Sequence, residues 1–326
     1  MLAVVLSSSG GPEVLRPTDV PVPVLKEGEV LIDVVAAGLN RADVQQRLGV
    51  YPPPPGASEY PGLEVSGRIA DSNGSRFATG TAVVALLAGG GYAEQVAVPA
   101  GQVLEAPTGV DLLEAAALPE TAATVYSNLF LSADLEAGET VLIHGASGGI
   151  GTMAIQLALA FGAVPLVTAG SDEKLRFAES LGARTLINYR EQDFVEEVRR
   201  ATDGAGVDVI LDVVGAKYLG RNVDALAVNG RLVVIGLQGG AKAELNLGAL
   251  MAKRASVTGT TLRSRPSAEK AAIMAAVGRE VWPLVATGRV RTAVNRTFPL
   301  REASAAHAYF DSGEHTGKIL LTMDRA

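Results

Sequence analysis

Over the first third of the chain, apolar positions come in short runs at 2–6, 29–36, 67–70, 82–87 and 92–98. Clusters of Gly, Pro, Asn and Asp separate them, as expected for strands joined by turns. Residues 52–55 are four consecutive prolines followed by Gly56, which suits neither a helix nor a central strand and predicts a stiffened loop. Near Asp111 the pattern changes, and 111–131 is Ala- and Leu-rich with helical spacing. Beyond it, apolar runs at 140–144, 165–168, 185–188, 207–213 and 231–235 predict strands. Between them 149–161, 172–181, 193–201 and 219–226 predict helices. Such alternation implies βαβ units and a parallel sheet, and the nearly unbroken apolar strands imply that both its faces are covered. After Ala255 follow one more strand, a helix over 268–286, a helix over 303–310 and a strand over 318–322. The predicted class is α/β, a β domain plus a doubly wound parallel-sheet domain.

A chain of 326 residues exceeds what one core usually supports, so two domains are expected. Hydrophobic residues make up 48% and charged residues 19%, within the ordinary globular range. The net charge of −7 argues against broad nucleic-acid binding. With no cysteine, disulfides, thiolate metal sites and a catalytic thiol are impossible. The first fifteen residues lack the basic and apolar regions of a secretory signal, and no apolar run is long enough to span a membrane. The expected location is cytoplasmic.

The strand at 140–144 runs into Gly145-Ala-Ser147-Gly148-Gly149-Ile150-Gly151 and then into a helix. Glycines permit a tight turn and let the backbone approach a pyrophosphate, while the helix N-terminus offers free N–H groups and a favourable dipole. The spacing is G-x-x-G-x-x-G rather than the strict dinucleotide fingerprint, and its place between strand and helix is what makes it specific. The next strand ends Val167-Thr-Ala-Gly170-Ser171, without the carboxylate that holds the ribose hydroxyls in NAD sites. Small residues there leave room for a 2′-phosphate, Ser171 offers a donor, and Lys174, Tyr189 and Arg190 follow nearby. Asp172 and Glu173 count against this, unless they serve as helix N-terminal residues. The expected cofactor is NADPH.

Several motifs in order carry a family resemblance: Leu39-Asn-Arg-Ala-Asp43, Gly49-Val-Tyr-Pro-Pro-Pro-Pro-Gly56, Pro61-Gly-Leu-Glu-Val-Ser-Gly67, the turn at 145–151, Val167 to Ser171, Leu262-Arg-Ser-Arg265 and Gly317-Lys-Ile319. The chain resembles the zinc-free quinone oxidoreductases of the medium-chain dehydrogenase/reductase superfamily, in their zeta-crystallin-like, tumour-suppressor-inducible branch. The resemblance implies a GroES-like catalytic domain (1–120 plus 262–326), a Rossmann domain (121–261) between its two parts, an active site in the cleft between them, and a homodimer. In zinc-dependent relatives a Cys stands at the position of Asn40 and a His at that of Leu63. Their loss leaves no tetrahedral zinc set, and His144, His307 and His315 share no metal spacing. Glu64 then reads as a structural carboxylate and His144 as a packing or hydrogen-bonding residue.

Hydride transfer from NADPH to a quinone is the implied chemistry. Quinones delocalise the charge that develops, so the need for a Lewis acid falls. Asn40 and Tyr51 are the candidate donors to the acceptor oxygen, with Asn40 alternatively capping the helix after it. Asp43 and Arg41 are possible partners that orient them. By resemblance Thr124, Gly236, Leu237, Gln238, Leu262 and Arg263 contact the cofactor. Arg263 otherwise reads as a solvated surface charge. Lys318 either touches the cofactor or ends a strand. The competing readings are an enone or enoyl-thioester reductase using the same hydride geometry, and a nucleotide-binding protein without turnover. Some family members are structural or bind RNA, but here charge and the lack of an aromatic-basic cluster argue against RNA.

Overall fold

In a computed structural model, residues 1–323 are described and form two compact units. One comprises Met1–Ala123 with the described residues from Leu262 onward, the other Thr124–Thr261.

The first unit is built on an extended antiparallel core. Glu29–Gly38 is its central strand, pairing with Glu64–Asp71, with Gln95–Pro99 and with the C-terminal strand Lys318–Thr322. The sheet continues through Ala82–Leu86 to Val103–Glu105 on one side and to Val294–Pro299 on the other. Alternation along Glu29–Gly38 buries Val30, Ile32, Val34 and Ala36 completely, which fixes the register wherever one face is dry. The C-terminal strand therefore belongs to the N-terminal unit and brings Lys318 beside Leu39 and Asn40.

The second unit is a six-stranded parallel sheet. Its order is Thr185–Asn188, Val164–Ala169, Thr140–His144, Val207–Asp212, Leu226–Val234, Ser256–Gly259. Every pairing is parallel. Numbered by sequence this is 3-2-1-4-5-6, the doubly wound order whose switch point lies between the first and fourth strands. The middle strands are almost wholly buried, which accounts for their unbroken apolar sequence.

The differences from expectation have local causes. The helical stretch from 111 breaks into Leu112–Ala115 and Pro119–Tyr126, followed by a π-helical turn Ser127–Ser132. Pro119 starts a helix readily but disfavours helical geometry in the residue before it. The helix expected over 268–286 is two helices, Ser267–Glu280 and Trp282–Ala286, because Pro283 cannot continue the first. Leu15–Asp19 and Val294–Pro299 are strands that sequence reading misses: most of their side chains face solvent, so no alternation marks them.

Candidate functional site

In the parallel-sheet unit, Thr140–His144 ends at Gly145, whose φ of +78° is a conformation that favours glycine. The turn then enters the helix Gly149–Ala160. A Cβ on Gly151 would strike the carbonyl oxygen of Gly145 and the backbone of Ala146, so only glycine lets helix and turn close. The first amides of a helix have no acceptor within it, and Gly148 at the N-cap brings no side chain to satisfy them. The Gly148 amide closes the turn onto Gly145 O at 3.3 Å, and Gly149 and Ile150 thus present backbone donors to an anion, with Ser147 beside them.

One strand over, Val164–Ala169 ends at Gly170 and Ser171. A Cβ on Gly170 would lie 2.5 Å from the Tyr189 hydroxyl and 3.3 Å from Nε of Arg190. The missing side chain lets a phenol and a guanidinium close over the strand tip. Ser171 caps the next helix by accepting the amide of Lys174 at 3.4 Å, and its hydroxyl hydrogen remains available. Asp172 accepts the side-chain amide of Asn188 at 3.1 Å, consistent with a helix-end role. Gly170, Ser171, Tyr189 and Arg190 therefore meet at one corner, with Lys174 in the first turn of the helix that Ser171 caps. Gly236 packs so tightly on Val213 that a Cβ would lie 2.7 Å from the Val213 oxygen. Leu237 and Gln238 follow it, with Leu237 exposed. Thr124 is buried, and its carbonyl accepts the side-chain amide of Asn128 at 2.7 Å.

Beneath these loops His144 bonds Thr168 through Nδ1 and Asn222 through Nε2, both at 2.9 Å. Burial, and the charge of Arg221, hold it neutral and push its pKa down to about 4. It is the packing and hydrogen-bonding residue that its position suggested.

The first unit holds a second polar cluster. Asn40 stands before the helix Arg41–Arg47, and its own amide donates to the Asp43 carboxylate at 2.8 Å. Its side-chain NH₂ donates to Gly38 O at 3.2 Å and to Glu64 Oε1 at 3.0 Å, while Oδ1 accepts the Lys318 ammonium at 2.6 Å. Lys318 also donates to Leu39 O at 2.9 Å and pairs with Glu64 at 2.6 Å. The other Glu64 oxygen accepts the Glu120 amide at 2.9 Å. All of this is buried, so an ion pair with its hydrogen bonds satisfied replaces the donor set a zinc ion would need. An amide, a leucine and an ammonium at these positions do not fit zinc. Among the described residues no group of three or more His, Cys, Asp or Glu side chains could hold a metal.

Asp43 is fully buried and accepts the Gly62 amide at 2.8 Å, and Tyr92 reaches it at 3.4 Å. Loss of solvent pushes its pKa up to about 6 against those hydrogen bonds. Arg41 lies over the Phe310 ring instead, 4.4 Å from its centroid.

Arg263 is not a surface charge: it is 5% exposed. Its guanidinium donates to Ala88 O at 2.7 Å, Tyr51 O at 3.3 Å and Gln46 Oε1 at 2.6 Å. It lies 5.4 Å from the centre of the Tyr51 ring, and Leu262 precedes it at the return of the chain to this unit. Burial raises the Tyr51 phenol above its ordinary value, so it keeps its proton. Sequence reading missed Gln46 and Ala88 as supports of Tyr51, because nothing local in the sequence marks a side-chain amide or a backbone carbonyl as the partner of a distant arginine.

Residues 149–277 match a zinc-binding dehydrogenase family model, and 26–108 match the alcohol dehydrogenase GroES-like domain. A human (Homo sapiens) quinone oxidoreductase is 34% identical over 330 residues, covering 99% of this chain and 98% of its own length. Quinone oxidoreductase 1 of Escherichia coli is 33% identical, covering 96% of each. Among solved structures, Escherichia coli quinone oxidoreductase complexed with NADPH superposes with a TM-score of 0.87 at 31% identity, covering 99% of this chain and 100% of that one. CurK enoyl reductase gives 0.85 at 29% identity, covering 99% of each.

Proposed function

This chain belongs to the quinone oxidoreductases of the medium-chain dehydrogenase/reductase superfamily, and from that premise we propose that it reduces quinones with NADPH, without a metal ion. That it is an NAD(P)H-dependent oxidoreductase follows from the family.

The observation that carries the choice of NADPH is the corner at Gly170. Tyr189 and Arg190 close on a strand tip without a carboxylate, and Ser171 and Lys174 flank it. A 2′-phosphate is recognised by such donors, whereas an unphosphorylated ribose calls for an acceptor. When bound, NADPH supplies the hydride. Within the turn Gly145 to Gly151, the amides of Gly149, Ile150 and Gly151 would hold its pyrophosphate, while those of Gly145, Ala146 and Gly148 shape the turn by bonding Thr168 and Gly145 carbonyls. Gly236 to Gln238 and Thr124 line its nicotinamide end, a role that rests on the family resemblance.

The acceptor's oxygen needs a hydrogen-bond donor as charge develops on it. Tyr51 supports this role best: its phenol is protonated, and Arg263 fixes its backbone and ring. Asn40 has both amide hydrogens engaged by Gly38 and Glu64, so its role is to position the neighbouring backbone. Lys318 and Arg263 serve the first unit's scaffold in this reading, not the cofactor directly.

The same reading includes a homodimer through the parallel-sheet unit. Ser256–Gly259 is an edge strand paired on one side only, and the helix Leu247–Lys253 buries none of its residues.

The test is steady-state oxidation of NADPH and of NADH with ortho- and para-quinones and simple enones, with a chelator present. Quinone-dependent NADPH oxidation unaffected by the chelator is expected. Turnover of enones alone would replace quinone reduction by enone or enoyl-thioester reduction, a reading for which the likeness to CurK enoyl reductase speaks. Dinucleotide binding without turnover would make it a nucleotide-binding protein.

A further inference from the structure

Four buried side chains of the parallel-sheet unit form a continuous hydrogen-bonded chain, and each is at most 1% exposed. Thr168 Oγ1 meets His144 Nδ1 at 2.9 Å, His144 Nε2 meets Asn222 Oδ1 at 2.9 Å, and Asn222 Nδ2 meets Asp212 Oδ2 at 3.1 Å. Asp212 also accepts the amides of Val214 at 2.6 Å and Gly215 at 3.0 Å.

The direction of this chain follows from its end. Three donors converge on the Asp212 carboxylate, so Asp212 only accepts. Asn222 must therefore turn its NH₂ toward Asp212 and its oxygen toward His144. His144 must then carry its proton on Nε2, which leaves Nδ1 to accept from the Thr168 hydroxyl. Each link allows one orientation only. Phe194 and Tyr218 hold the imidazole edge-on, with ring centres at 4.9 and 5.0 Å. Arg221 lies over both of these rings and disfavours a charged imidazole.

The ends of the chain lie at the loops that the NADPH reading uses. The carbonyl of Thr168 accepts the amides of Gly145 and Ala146, at 3.2 and 3.0 Å, and Thr168 stands two residues before Gly170. Asp212 holds the loop whose Val213 and Val214 carbonyls accept the amides of Gln238 and Gly239, at 3.3 and 2.7 Å. Three sheet strands and the helix Leu219–Ala225 are thereby joined at their loop ends by side chains rather than by the sheet ladder.

We infer that Thr168, His144, Asn222 and Asp212 are positioning residues for the dinucleotide, setting the glycine turn, the Gly170 corner and the 213–215 loop at fixed heights relative to one another. The inference rests on the cofactor reading above. It assigns dinucleotide affinity to residues that make no contact with the ligand.

Fluorescence titration of the full chain with NADPH tests it. Thr168→Val keeps the shape and removes the hydroxyl, and is expected to raise Kd about tenfold, the equivalent of one hydrogen bond of about 1.4 kcal/mol. Thr168→Ser should restore affinity to within about twofold, since a serine hydroxyl makes the same bond. In ¹⁵N NMR of the wild type, His144 should be the Nε2–H tautomer, and its Nδ1 resonance should move in the valine variant. A valine variant that binds NADPH like the wild type, or a wild-type Nδ1–H tautomer, overturns the inference. If the valine variant does not fold, the same titration of Thr168→Ala decides: a Kd raised about tenfold supports the inference and an unchanged Kd overturns it. If the wild type binds no dinucleotide, the cofactor reading falls and takes this inference with it; wild-type binding with an unaffected valine variant removes the inference alone.

Discussion

Tyr51 has a raised pKa because burial disfavours its phenolate, so near neutral pH it acts as a donor and not as a base. Tyr51→Phe removes that donor and leaves the ring under Arg263. The expected result is a fall in kcat of about 10²-fold, the scale of losing one donor to a developing oxyanion. Dissociation constants for NADPH measured by fluorescence should not change, and unchanged turnover would take Tyr51 out of the mechanism. At the Gly170 corner, Lys174→Ala or Tyr189→Ala should raise KM for NADPH by about tenfold and that for NADH by less than about twofold, since only NADPH carries the phosphate. Equal effects on both nucleotides would refute the 2′-phosphate assignment. The types at these positions were legible in the sequence because strand end, cap and cation fall within about twenty residues. Asn40 was legible as a polar residue before a helix. Its engagement was not, because Lys318, which holds its oxygen, lies 278 positions away.

At the scale of elements, the edge strand and exposed helix of the parallel-sheet unit carry a further expectation. Leu247 and Met251 are one helical turn apart and are 62% and 75% exposed. With both replaced by Glu, a dimer formed through this face should dissociate. Analytical ultracentrifugation should give the dimer mass for the wild type and half of it for the double variant. A wild-type chain that sediments as a monomer would remove the dimer proposal. The parallel strands were readable since burial on both faces leaves them apolar throughout. The exposed strands Leu15–Asp19 and Val294–Pro299 were not, as partners elsewhere in the chain make them strands. Helix breaks at Pro119 and Pro283 were legible in principle, because proline acts on its immediate neighbours.

At the scale of the whole molecule, each unit buries a neutral histidine, and this sets the response to acid. Burial pushes the pKa of His144 down from 6.5 to about 4 and that of His307 down to about 3. Below pH 6.5 the unfolded chain takes up protons that the folded chain refuses. Their contribution to stability is thus present above pH 6.5 and is lost as pH falls through 4 and 3. Asp43 acts in the opposite sense: its raised pKa means that its contribution is present below 3.8 and is lost as pH rises through about 6. Both histidines depart further from their ordinary value than Asp43 does, so net stability should fall on acidification. Urea midpoints from pH 7 to pH 4 should decline, and a flat or rising series would contradict the assignment. Sequence alone determined the parallel-sheet unit, its glycine turn and the absence of a thiolate metal site, because periodicity, turn chemistry and residue type are local. Tertiary structure alone decided that Arg263 braces Tyr51, that Lys318 and Glu64 pair around Asn40, and that Thr168 is tied to Asp212. Those arrangements depend on which side chains the sheets bring together across the chain, and on the requirement that a buried charge or amide find partners there.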